Sequence, residues 1–116
     1  EQPPLKNTKT KKQKLIDDSN ELIAIFDGWE LITKAGVDGL TKNSRIVFHY
    51  ELLYHVKWDY LIPVWYKFRD LRFEKVEHQF QHSDFKGNIS HRITYGTIES
   101  AFQSIVSAIQ WYNSIK

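Results

Sequence analysis

The side chains in this chain best suited to acid–base or metal chemistry near neutral pH are its five histidines. His78, His82 and His91 lie where apolar and polar residues alternate, so a hairpin there would place all three on one face. His82 opposite His91 could then share one metal ion, with His78 or Asp84 as a further ligand. His55 precedes Asp59 by one helical turn, a spacing at which the carboxylate could tune a general base. No nucleophile or second acid accompanies that pair, and structural histidines account for the same pattern. No catalytic residue, metal or other cofactor is therefore assigned. Cysteine is absent, which removes thiolate nucleophiles, disulfides and Cys-based zinc or iron–sulfur sites. The sequence also lacks a phosphate-cradling glycine loop, a nucleophile elbow and a zinc-protease helix signature. A non-enzymatic binding protein is expected ahead of an enzyme.

Three surfaces could carry such binding. The first is a polar and aromatic pocket built from Tyr54, His55, Trp58, Asp59, Trp111, Tyr112 and Asn113. Each also has an ordinary duty: Trp58, Trp111 and Tyr112 as core, Asp59 as a helix cap. The second is the outward face of the last helix, Ser100, Gln103, Ser104, Ser107, Gln110 and Ser114. A neutral face of small residues can approach another surface without burying an unpaired charge, so a homo-oligomer or a protein partner is expected there. The third is basic. Residues 1–14 hold Lys6, Lys9, Lys11, Lys12 and Lys14 against Glu1, a balance of +4, whereas the other 102 residues sum to −2. A lysine arm of this kind can contact nucleic-acid phosphates, the alternative reading of function. The arginines of the folded part alternate with acids, the pattern of a solvated face.

The elements that must position these groups follow from length and periodicity. The 116 residues include 17 aromatics, enough apolar area for one core and too little chain for two. Residues 1–17 form a basic tail of low hydrophobicity, and 18–116 a single globular domain. No stretch is long and apolar enough to span a membrane, and the tail lacks the apolar run of a signal peptide. A cytoplasmic protein with no membrane partner is expected. A first helix is predicted from Ser19 or Asn20, with Leu22, Ile23, Ile25, Phe26, Trp29 and Ile32 as its stripe and Gly28 as a possible end. Residues 35–44 read as a loop and 45–50 as a strand. A second helix opens at Trp58-Asp59 and runs to Leu71, with Pro63 early in it. Residues 76–95 are predicted as a β-hairpin turning at Lys86-Gly87 or Gly87-Asn88. The last helix is capped by Thr97 and buries Ile98, Ala101, Phe102, Ile105, Val106, Ile109 and Tyr112. The expected fold is α+β, with about three helices packed on a short antiparallel sheet that includes the 76–95 hairpin.

Three segments resemble a known family. They are 22–28 (LIAIFDG), 54–64 (YHVKWDYLIPV) and 109–113 (IQWYN). The family comprises small uncharacterised proteins, mainly from bacteriophages and Bacteroidetes-type genomes, that read LIAEFMG, YHxSWDWLMPVVEKIE and FIKWYN in that order. The resemblance spans roughly residues 20 to 114, with WDxLxPV and the terminal WYN as its specific parts. It implies a phage-like or mobile-element accessory protein, placed in a bacterial host cell, and brings no activity with it. Ile25 and Tyr66 stand where the family has Glu, and Lys57 where it has Ser.

Overall fold

The computed structural model describes residues 10–34 and 36–116. In chain order these form α1 (Lys11–Phe26), β1 (Glu30–Lys34), β2 (Val37–Lys42), β3 (Arg45–Val47), a 3₁₀ turn (His49–Glu51), α2 (Trp58–Arg69), α3 (Val76–Tyr95) and α4 (Ile98–Ile115). The fold is α+β, with four helices and one antiparallel sheet of order β1-β2-β3. No helix among the described residues is long and apolar enough to cross a membrane.

α1 starts earlier than its apolar stripe suggests. Thr10 is the cap, its hydroxyl accepting from the Gln13 amide at 3.0 Å, so Lys11, Lys12 and Lys14 belong to the helix. Asp17 and Asn20 are buried within it. Its end is set by Gly28, whose φ of +104° suits a residue without a Cβ. The Gly28 amide donates to the Ile25 carbonyl and the Trp29 amide to that of Ala24, the paired bonds of a Schellman motif. Trp29 and Ile32 therefore leave the predicted helical stripe, and the chain turns into β1.

Residues 36–44 do not form the loop expected over 35–44, of which Ala35 lies outside the described residues. β2 pairs with β1 in the register Leu31↔Leu40 and Thr33↔Asp38, and with β3 through Leu40↔Val47. Gly39 allows that closeness, because a Cβ on it would lie 2.8 Å from the Val47 carbonyl oxygen. Asn43 and Ser44, both at positive φ, close the β2–β3 hairpin in the mirror-image turn that matches strand twist.

The hairpin predicted over 76–95 is instead helix α3, and this is the largest correction. His78, His82, Phe85, Ile89 and Ile93 recur at four-, three-, four- and four-residue steps, and these are the residues α3 turns inward. The two-residue alternation that suggests strands samples the same polar-rich sequence at half that interval. With no strand partner close by, a helix satisfies every backbone group locally and packs one stripe on α4.

α4 lies at the centre. Ala101, Phe102, Ile105, Val106, Ala108 and Ile109 are buried against α1, α2 and α3. Thr97 caps it as predicted, exchanging hydrogen bonds with Ser100. Phe68 of α2 is fully buried among Phe26, His82, Phe85 and Trp111. α2 begins one residue after its cap, Lys57, so Asp59 sits in the first turn and not at the cap. Pro63 falls sixth in the helix and lacks the N–H that would bond the Asp59 carbonyl.

Candidate functional site

A cleft of about 540 Å³ lies where four parts of the chain converge. The end of α1 supplies Asp27 and Trp29, and the β2–β3 hairpin supplies Lys42, Arg45 and Val47. The segment after the 3₁₀ turn supplies Tyr54, and the start of α2 supplies Asp59, Tyr60 and Pro63. The Schellman motif fixes Asp27 and Trp29 on either side of Gly28, so both side chains leave a rigid helix end.

Asp27 is the polar centre of the cleft. Tyr54 Oη donates to Asp27 Oδ2 at 3.0 Å, while Lys42 Nζ donates to the Asp27 carbonyl at 2.9 Å and stands 3.8 Å from Oδ2. A carboxylate at a helix C-terminus opposes the helix dipole, and a cation beside it restores balance. Lys42 also lies over the Trp29 ring, 5.8 Å from its centroid. Burial, and then the Asp27 charge, pushes the Tyr54 phenol far above its ordinary value. Tyr54 therefore stays protonated and acts as a donor, suited to holding an acceptor and not to abstracting a proton. Tyr60 meets Tyr54 edge-to-face at 6.1 Å. The Arg45 side chain makes no ion pair or hydrogen bond among the described residues, which leaves its guanidinium free beside the cleft.

The seven pocket residues expected from sequence divide among three places. Tyr54 and Asp59 line the cleft. His55 turns to the other side, where Asn20 Nδ2 donates to its Nδ1 at 3.0 Å, and lines a second cleft of about 320 Å³ with Lys12, Leu15, Val56 and Phe102. Trp58 is partly exposed at the start of α2. Trp111 and Tyr112 pack around Phe73, and the Trp111 indole N–H donates to Gln81 Oε1 at 3.1 Å. Asn113 is exposed. His55 and Asp59 thus do not share a site.

The histidines are also separated. His82 is buried against Phe68 and Phe73, and its Nε2–H donates to the Phe68 carbonyl at 2.8 Å. His78 meets Phe73 and Trp111 edge-to-face, whereas His91 is exposed beside Tyr95. Because 76–95 is one helix, His82 and His91 project from opposite sides of it and not across a hairpin. Among the described residues, no three His, Asp or Glu side chains gather as metal ligands.

The neutral face of α4 is not a single free surface. Ser104 is buried, and Asn88 Nδ2 of α3 donates to its Oγ at 3.4 Å. Ser100 is committed to the Thr97 cap, and Ser114 Oγ donates to the Trp111 carbonyl. Gln103, Ser107 and Gln110 remain exposed. Of the basic arm, Lys6 and Lys9 lie outside the described residues. Lys11, Lys12 and Lys14 are exposed on the first turn of α1, with Lys14 paired to Asp18 at 3.4 Å.

Asp27, Lys42 and Trp29 carry no sequence motif. The only local signal was Gly28, which marks the helix end that presents Asp27 and Trp29. Comparison with protein-family models, with curated proteins and with solved structures gives no match for this chain.

Proposed function

We propose that this protein is a non-enzymatic binding protein whose ligand site is the Asp27–Tyr54 cleft. The observation that supports it most is the pinned Asp27 carboxylate: a tyrosine and a lysine fix it in a cleft bordered by Trp29, Tyr54 and Tyr60. Sites for small molecules combine a mostly apolar, aromatic lining with a few fixed polar groups, and this cleft has both. Acceptors at Asp27 and Asp59 and donors at Lys42 and Arg45 suit a planar group with hydrogen-bonding atoms of both kinds along its edge. Asp27, Tyr54 and Lys42 are bonded to one another and form a fixed base, while Arg45 and Asp59 at the cleft are left to meet a ligand. The phage-like accessory role implied by the WDxLxPV resemblance is part of this proposal.

The test is a ¹H–¹⁵N shift titration with adenosine, tyrosinamide and indole-3-acetate as probes. The expected result is movement of the Trp29 indole and the Asp27 and Lys42 amides by at least one probe, lost in Arg45→Glu or Asp59→Lys. Shifts that map elsewhere, or none with any probe at millimolar concentration, would sink the assignment.

A further inference from the structure

The outer side of α3 is the most conspicuous surface outside the cleft. α3 packs on α4 through one stripe, and its opposite side has no partner among the described residues. At 100° per residue, Gly87, Phe80, His91 and Asp84 fall within about 60° of one another, on the side away from His82 and Ile89. Val76 and Tyr95 flank this arc. Phe80 is 69% exposed and Tyr95 78%.

Gly87 is the anomaly. It sits in the middle of a 20-residue helix, where Gly costs about 1 kcal/mol relative to Ala. Nothing lies within 4 Å of where its Cβ would be, so this chain by itself does not explain it. Close approach of another backbone would.

The arc is self-complementary about that point. Two copies of α3 crossing antiparallel on a two-fold axis between Gly87 and Asn88 bring residue k of one against residue 175 − k of the other, as the symmetry requires. Phe80 then meets Tyr95 of the second copy and Asp84 meets its His91, each pair occurring twice. Ser83 lies beside Arg92 at the edge of the crossing, so among the α3 residues nearest the axis no charge opposes its like. The rings of His91 and Tyr95 already lie against each other, tilted, with centroids 5.2 Å apart, presenting one prepared surface.

We propose that α3 is a homodimerisation helix, pairing antiparallel with a second copy of this chain about Gly87. Aromatic pairs at both ends supply the apolar anchors, the Asp84–His91 pairs set register, and Gly87 lets the helices approach at the crossing. The proposal is independent of the cleft and replaces the neutral face of α4 as the self-association surface.

Sedimentation velocity of the full chain tests it. A species of twice 13.8 kDa is expected at micromolar concentration. Gly87→Arg is expected to return the protein to monomer while raising its helix stability, since Arg is the better helix former. His91→Asp alone sets carboxylates against each other twice and is expected to weaken the dimer about tenfold, whereas D84K/H91D, which makes two Lys–Asp pairs, restores it. Residues 84 and 91 are two turns apart in one helix, so rescue by the swap can arise only between chains. A monomer at 200 µM overturns the proposal. A dimer indifferent to G87R overturns it as well, and so does a swap that fails to rescue while circular dichroism shows a folded chain.

Discussion

Replacing Tyr54 by Phe removes one oxygen from a side chain only 3% exposed and leaves its ring packing in place. No cavity forms, so the loss is that of the hydrogen bond to Asp27 at 3.0 Å. Hydrogen bonds to charged groups contribute about 1.5–3 kcal/mol. Asp27 is only half-buried and keeps Lys42 nearby, which places this bond in the lower part of that range, about 1.5–2 kcal/mol. For 116 residues the unfolding entropy is about 0.24 kcal/mol/K, so Tm should fall by about 6–8 °C. The assay is thermal unfolding of wild type, Y54F, D27A and the double variant. A coupling energy of about 1–2 kcal/mol between the two sites is expected from the cycle. The phenol gives a second readout. Its folded pKa is raised, so the stability it contributes is fully present below the unfolded value of about 10 and is lost as pH rises above it. Wild type and Y54F should accordingly show equal tyrosinate absorbance up to pH about 10.5. A Tm change below about 2 °C, additive single effects, or one extra tyrosinate in wild type near pH 10 would refute the reasoning.

Phe68→Ala should cost about 3–5 kcal/mol and about 12–20 °C in Tm, because the ring is fully buried among four aromatic neighbours that cannot all collapse inward; a loss under 2 kcal/mol in denaturant unfolding would show that they can. Burial lowers the His82 pKa in the folded state more than its bond to the Phe68 carbonyl raises it. As pH falls below about 6.5 the unfolded chain takes up that proton first, so stability declines with acidification and is insensitive to His82 above that value. The urea midpoint should therefore drop between pH 7.5 and 5 by more in wild type than in His82→Gln, and equal drops would reject the linkage.

How much of this was legible in the residues differs by element. α4 was, because a Thr97 cap and an apolar stripe at three- and four-residue spacing are both local signals of one helix. α2 was too, apart from its cap, whereas Gly28 was one of two readings of a stripe taken on to Ile32. The β1–β2 hairpin was not, since its apolar residues continue the periodicity of α1 across Gly28 and its own turn carries no Asn-Gly pair. α3 was misread because the stripe facing α4 contains two histidines, which count as polar until Phe68 and Phe73 are seen to cover one of them.

The sequence by itself determined the α+β class and the positions of α2 and α4. These depend on interactions spanning a few residues, such as caps and periodicity. Only the tertiary structure decided which side chains meet. Tyr54 and Asp27 are 27 positions apart, and neither is marked by spacing or type as the other's partner. Their bond forms because α4 gathers α1 and α2 on one core and thereby brings the end of α1 beside the entry to α2. The same core turns His55 away from Asp59 although they are four residues apart. Proximity along the chain set the expectation for that pair, and the direction of burial reversed it.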